Sequence, residues 1–517
     1  MRHKTTPSTL EGFFLIKIWI VILSVLLTGL LFGSADRAID KIQESRIAET
    51  SREMVVGNEW LVPHYNGELR LQKPPLTYWT TAASYKMFGV SEISTRLPSA
   101  LFGLLTAGLL FVWAKREINL STAGSIALML TTSFLGFRYF RSGEADATLI
   151  FFISLACFAG FSLLESGSKR LVWLLMLALG LGFLTKGPAA VAIPLLTIVI
   201  YAFSIKRLPI LKTMANPVGL GIFALTAFGW YAWILLMMPD IAQHFFSKQV
   251  DETFISGTHQ QPIYWYLAHA IEFFSPWSLL LIPAGIWCYK NRPLPKLIQF
   301  SIVWLGVVFV LLTFTVNKQT QYAVLFLPPI MIILGYYLEV AADKYYQYNR
   351  IIFWLLCFAV LAMIVVAIRK RGFNEVLAMP DALVWLLMLL LPLMLKKVMN
   401  VAVPKTPVLI AALLATFAYL FAEQFLTKDV EKADIKILMQ TAAVKPVLYQ
   451  LKPGDGAVSF YAQRAIKPLG ERQLQQALTT QSELWLVGKD QPKLSNVQFY
   501  AEKQVGRWTL WKLTPLP

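Results

Sequence analysis

Runs of apolar residues, each near the length an α-helix needs to cross a bilayer, recur along most of this 517-residue chain. Taking about 20 apolar residues as one span, thirteen segments qualify: 13–33, 96–114, 119–137, 147–164, 170–184, 189–204, 216–238, 274–289, 297–315, 322–339, 351–368, 382–395 and 406–425. Inside lipid the backbone must satisfy its own polar groups, so such runs fold as helices. The expected class is an all-α polytopic membrane protein of about 13 transmembrane helices. The 56% hydrophobic and 15% charged content lies outside the range of soluble domains. A net charge of +17 would suggest nucleic acid in a soluble protein. Here Lys and Arg sit between apolar runs, where they set topology and meet anionic lipid, so membrane lipids are the expected partners and nucleic acid is not. Phe13 to Phe32 is longer than a signal-peptide core and lacks a small-residue cleavage site, which predicts a retained anchor.

An odd span count puts the termini on opposite sides. With a cytoplasmic N-terminus, the inner loops carry Lys115 and Arg116, Lys169 and Arg170, Lys206 and Arg207, and Lys396 and Lys397, as the positive-inside rule asks. The outer loops hold fewer cations, and only the cluster at 369–371 argues against this orientation. Two long loops, 34–95 and 239–273, then face the periplasm beyond a bacterial inner membrane. The spans make up a domain over 1–425. From 426 to 517 the pattern changes to short β-like runs, Ala457 to Tyr461 and Leu484 to Val487, around a helical run at Glu471 to Leu478. This predicts a small soluble α/β domain on the same outer face. Cys157, Cys288 and Cys357 lie in apolar runs without metal or disulfide spacing, and read as core or lipid-facing residues.

The first long loop is the most ordered polar stretch. Glu44, Glu49, Arg52 and Glu53 repeat at helical spacing with Ile47, Met54 and Val55 between them, which predicts an amphipathic helix at the membrane surface. A turn at Asn66-Gly67 follows, then Lys73-Pro74-Pro75, a cation whose backbone is fixed by two prolines. Asp146 opens an apolar helix and reads either as a charge on a water-lined cavity or as a helix-terminal residue on the positive end of the dipole. Lys186, before a Gly-Pro break, either meets a phosphate or extends to the interface; Lys318 and Tyr322 likewise read as a phosphate contact or an interfacial pair. Arg46, Tyr78, Glu144 and Tyr322 are further candidates for a substrate cavity. His244, Asp251, Glu252, His259 and His269 have no tight metal-ligand spacing, and a hydrated loop anchored by Trp265 and Trp277 is the simpler reading. No cofactor is assigned, and a divalent cation is left open. Together these residues put cations and carboxylates on one face with access from lipid, which suits a substrate with an anionic phosphate head and a lipid tail.

Here the sequence resembles a known family, the polyprenyl-phosphate-dependent GT-C glycosyltransferases, in particular the aminoarabinose-to-lipid-A transferases and their protein mannosyltransferase relatives. The resemblance runs in order through Gln43-Glu44, Ala48-Glu49, Arg52-Glu53-Met54, Gly57-Asn58-Glu59-Trp60, Asn66-Gly67, Lys73-Pro74-Pro75-Leu76, Tyr78-Trp79, Phe88-Gly89 and Arg96-Leu97-Pro98. It continues through Asp146, Thr185-Lys186-Gly187-Pro188, Gln261-Pro262, Pro276-Trp277 and the stretch from Lys318 to Pro328. It implies transfer of one sugar from a polyprenyl (undecaprenyl) phosphate donor to lipid A or another envelope glycan, glycolipid or protein, with inversion. Lys73 would hold the donor phosphate, Lys186 or Lys318 would offset charge on the leaving group, and Asp146 would orient the sugar or acceptor. Where the family has the acidic residue of an Asp-Glu pair, this chain has Gln43, which cannot act as a base, and Thr253 stands where an Arg is expected. Either Glu44 or Asp40 replaces that acid, or the acceptor is an already ionised phosphate, or the chain is a weakened envelope scaffold. A flippase for lipid-linked sugars is disfavoured, because the polar residues gather at one face and not at the midplane.

Overall fold

The computed structural model describes residues 42–239, 260–315, 317–341, 406–425 and 430–516, with a few isolated positions beside them. Its first part is helical. Helix α1 (Ile42–Gly57) leads into a hairpin of β1 (His64–Tyr65) and β2 (Glu68–Leu69), then α2 (Leu76–Phe88) and α3 (Glu92–Glu117). There follow α4 (Leu120–Thr132), α5 (Phe134–Tyr139), α6 (Asp146–Ser166), α7 (Arg170–Lys186), α8 (Ala189–Ser204), α9 (Pro217–Met237), α10 (Leu281–Lys290), α11 (Lys296–Phe314), α12 (Leu327–Val340) and α13 (Thr406–Phe425). Among the described residues five helices are long and apolar enough to cross a membrane: α3, α6, α9, α11 and the segment Thr320–Val340 that ends in α12. On α9 the side chains of Leu225, Leu236 and Met237 are largely exposed, a surface that suits lipid and not water.

Local chemistry fixes the ends of these helices. The Ser91 side chain accepts from the Ser94 amide at the start of α3, Asn119 does the same for α4, and Lys115 and Arg116 sit in the last turn of α3, where the dipole favours cations. The run expected as one span at 119–137 is broken: Ser133 is extended and its hydroxyl caps α5, splitting the run into α4 and α5. The run at 274–289 is also shorter than expected, since a 3-10 turn at Trp277–Leu280 precedes a ten-residue α10, whose length of about 15 Å does not cross a bilayer. The expected spans at 13–33 and 382–395, and most of 351–368, lie outside the described residues, as does Cys357. Cys157 and Cys288 are buried free thiols.

The chain then forms α14 (Val430–Ala442) and a five-stranded sheet: β3 (Leu448–Leu451), β4 (Pro468–Leu469), β5 (Leu484–Gly488), β6 (Val497–Val505) and β7 (Trp508–Pro515), with α15 (Gly456–Ala462) after β3 and α16 (Glu471–Thr480) after β4. The sheet order is β4-β3-β5-β7-β6, parallel at β3 and antiparallel from β5 to β6. Strand alternation sorts the core into two layers. Trp485, Val487, Trp508 and Leu510 pack with α14 and α15, while Leu484, Leu486, Trp511 and Leu513 pack with α16. Ala457 to Tyr461, read from sequence as β-like, lies in α15, because Asp455 caps the Ala457 amide and starts a helix there.

This unit sits on the first long loop. The Ser459 hydroxyl donates to Asn66 Oδ1 at 2.6 Å, Lys436 pairs with Glu92 at 2.5 Å, and Tyr461 accepts from the Ile39 amide at 2.9 Å. Helix α1 is therefore enclosed by α2 on one side and α15 on the other. Glu44, Ser45, Glu49, Thr50, Ser51 and Arg52 are all buried on it. The amphipathic surface helix expected from the sequence is instead a polar helix packed inside protein.

Candidate active-site cavity

The start of α1, the turn before α2, the start of α6, the end of α7 and the approach to α12 converge on a cavity that, with its open mouth, encloses roughly 550 Å³. Gln43 and Ile47 contribute from α1; Arg70, Lys73, Pro74, Thr77 and Tyr78 come from the hairpin exit and α2. Glu144 and Ala145 lead into α6, which Asp146 opens, Thr185 and Lys186 come from the end of α7, and Gln321 and Tyr322 complete the lining. Sequence alone separates these groups by up to 279 positions, from 43 to 322. The fold brings them together because α6 begins, and α7 ends, at the same level.

The strongest contact in the cavity is an ion pair. Lys186 Nζ donates to Asp146 Oδ1 at 2.6 Å, and the same ammonium lies 5.4 Å from the Tyr322 ring centre. Asp146 is at the first position of α6, where the helix dipole also favours its charge. Lys186 closes α7; the next residue, Gly187, has a φ of 82°, which turns the backbone back and lets Pro188 begin α8. Both readings given to Asp146 from sequence meet here, since it opens a helix and lines the cavity. Tyr78 accepts from Arg70 Nε at 3.1 Å. Lys73 is exposed beside the buried Pro74 and Pro75, so its backbone is held while its side chain reaches the opening.

Three sequence candidates fall elsewhere. Glu44 does not line the cavity. Its carboxylate takes two bonds from Arg96, at 2.7 and 3.1 Å, and a third from the Gly143 amide at 2.9 Å. Burial would raise its affinity for a proton, but the Arg96 and Arg37 guanidinium groups, with that amide, overcome burial and hold it well below the usual carboxylate range. A carboxylate so engaged is a poor base, and Glu44 is better described as the anchor of α1 onto α3. Lys318 is buried and donates to the Thr315 carbonyl at 2.7 Å, outside the cavity lining. Arg46 is half-buried and also outside it, on the side of Tyr65 and Asp455.

Asp40, His244, Asp251, Glu252, Thr253 and His259 lie outside the described residues. His269 stacks on Phe273, and its ring meets the Trp265 carbonyl. Trp277, expected as an interfacial anchor, is buried and donates to Thr132. Among the described residues no three His, Cys, Asp or Glu side chains are grouped to hold a metal ion. Sequence reasoning passed over Arg70, Thr77 and Gln321. Only Arg70 carried a signal, as a second cation three residues before Lys73.

Comparison with known proteins bears on the fold. The family model of the dolichyl-phosphate-mannose-protein mannosyltransferases matches residues 72–233, from the Lys73 turn through α7 to most of α9. ArnT from Cupriavidus metallidurans, solved bound to undecaprenyl phosphate, superposes with a TM-score of 0.79 over 96% of this chain and 98% of its own, at 20% identity. The fold is therefore shared along nearly the full length of both proteins. The chain resembles the polyprenyl-phosphate-dependent GT-C glycosyltransferases. In sequence, the undecaprenyl phosphate-α-4-amino-4-deoxy-L-arabinose arabinosyl transferase of Aeromonas salmonicida is 30% identical over 64% of this chain and 63% of its own length. An uncharacterised protein of Aquifex aeolicus is 28% identical over 68% of this chain and 70% of its own. Sequence similarity to the arabinosyl transferases thus spans less than two thirds of their length, whereas the structural likeness to ArnT covers 96% of this chain.

Proposed function

We propose that this protein is an integral membrane glycosyltransferase that moves a single sugar from a polyprenyl phosphate to an acceptor at the periplasmic face of a bacterial inner membrane. The observation that carries the reading is the cavity itself: Lys73 at its mouth, and the Asp146–Lys186 pair beside Tyr322 within it. In this reading Lys73 binds the donor phosphate, and Lys186, already turned toward the cavity by Asp146, faces the charge that grows on that phosphate as the glycosidic bond breaks. Asp146 orients the sugar. The acceptor attacks from the opposite side, so the anomeric centre inverts. The N-terminus lies in the cytoplasm in this reading, and the carboxy-terminal unit in the periplasm.

Gln43 lines the cavity where the resemblance asks for an acid, and the neighbouring Glu44 is fully engaged by Arg96. An amide accepts no proton at neutral pH, so an acceptor that arrives ionised, such as a phosphate of lipid A or of another envelope glycolipid, suits this cavity better than a sugar or protein hydroxyl. The test uses purified full-length protein in vesicles, with labelled undecaprenyl phosphate sugars and total envelope lipid. Label should appear on a phosphate-bearing lipid; transfer only to hydroxyl acceptors would overturn the acceptor assignment, and transfer from no donor would overturn the enzyme.

A further inference from the structure

Arg70 is more than nine-tenths buried, yet it lines the cavity and forms no ion pair among the described residues. A guanidinium has five N–H donors, and among the described residues only Nε is engaged, by the Tyr78 hydroxyl at 3.1 Å. Its face rests on the Tyr65 ring, 5.2 Å from the centroid. A buried cation without a carboxylate is costly unless an anion completes it, and a planar fork held by two tyrosines matches the paired oxygens of a phosphate.

Tyr65 is in turn set by the carboxy-terminal unit. Its hydroxyl meets the backbone of Gly456, the first residue of α15. A Cβ at that position would stand 2.7 Å from the Ser45 carbonyl oxygen and 2.8 Å from the Tyr65 ring, so only glycine lets the two units close to this distance.

We propose that Arg70 is a second phosphate-binding residue of the cavity, and that Gly456 positions it by seating the Tyr65 ring against its guanidinium. The proposal rests on the transferase reading for the origin of the phosphate, which is either that of the polyprenyl donor or that of the acceptor. A bound phosphate would take the free Nη groups while Nε stays on Tyr78, so the fork would fix the orientation of the phosphate as well as its charge. No proton moves in this step.

The experiment uses full-length protein in nanodiscs, its folding checked by thermal melting. Undecaprenyl phosphate binding is titrated directly, and the KM for acceptor is measured with total envelope lipid. Arg70→Ala should weaken one of the two by about tenfold or more, the size expected for a lost charge-assisted hydrogen bond. Loss in binding assigns the donor phosphate, and loss in acceptor KM assigns the acceptor. Arg70→Lys, which keeps the charge without the fork and also stands in if the alanine variant does not fold, should lose less. Both constants within twofold of the parent in Arg70→Ala, or in Arg70→Lys where the alanine variant does not fold, would overturn the site.

Gly456→Ala should raise the same constant severalfold with little change in kcat, and should add little in the Arg70→Ala background. Independent, additive losses, or a fall in kcat alone, would overturn the positioning role. If the parent binds undecaprenyl phosphate and Arg70→Ala does not, while no sugar is transferred from any donor, the transferase reading falls and the phosphate site stands.

Discussion

Glu44 and Asp146 each meet a basic side chain at 2.6 to 2.7 Å, yet one pair is closed on every side and the other opens onto the cavity. Glu44 accepts from Arg96 through both oxygens and from the Gly143 amide, and its carboxylate has no exposed surface. Arg96 spends its remaining donors on the Ser34, Arg37 and Ala38 carbonyls. Asp146 instead meets the ammonium of Lys186, which keeps 16% of its side chain accessible. A saturated pair has no capacity left for a substrate, so it holds the frame. An ammonium on a carboxylate keeps two further donors, so it is able to meet a third group. The lesson is that the donors a cation has already committed, together with its access to the cavity, separate the anchor from the reactive pair.

The largest effect that would break this comparison is on stability. Glu44→Ala leaves Arg96 buried and unpaired, and should cost about 3–5 kcal/mol, read as a fall in the melting temperature in detergent. If Glu44→Ala melts like the parent and only activity falls, the two pairs are of one kind. Next comes Lys73→Ala, which should lower transfer about 100-fold, near 2.7 kcal/mol, while the melting temperature stays close to that of the parent. Asp146→Asn should lower transfer by a similar or smaller factor with a modest stability loss, since Lys186 retains cavity access; a collapse of folding there would make Asp146 a second anchor.

The pH dependence separates the pairs further. Because the Glu44 carboxyl is lowered from its ordinary 4.5, its contribution to stability is present above that value and is lost as pH falls toward the folded-state one. The acid unfolding profile of Glu44→Gln should therefore be flatter below about pH 4.5 than that of the parent, measured by tryptophan fluorescence across an acid titration. The smallest effect is expected for Ser459→Ala, which removes the bond to Asn66 and should cost about 1 kcal/mol with transfer largely retained.

Much of the helical part was legible because an apolar run needs no partner to be recognised. The segments at 96–114, 147–164 and 297–315 correspond to α3, α6 and α11 with small shifts at their ends. What stayed hidden depended on distant residues. Polar α1 reads as a surface helix until Arg96, 52 residues away, is seen to neutralise Glu44. Ala457 to Tyr461 has strand-like composition, and only the Asp455 cap makes it helical. Lys318 shares its sequence surroundings with Tyr322, but a local bond to the Thr315 carbonyl turns it from the cavity that Tyr322 enters. In the site itself, Lys73, Asp146 and Lys186 could be singled out as charges beside apolar runs or prolines. Arg70 gave a weaker signal because it follows an ordinary hairpin turn at Asn66 and Gly67.

The bond from the Gly143 amide to Glu44 has a consequence for what holds the dimensions of the cavity. It ties the strand of backbone just before Asp146 to the same carboxylate that fastens α1 to α3, so the spacing between Gln43 and Asp146 is set from position 44. The frame of the chamber is thus held one residue away from the side chain at position 43 that lines it.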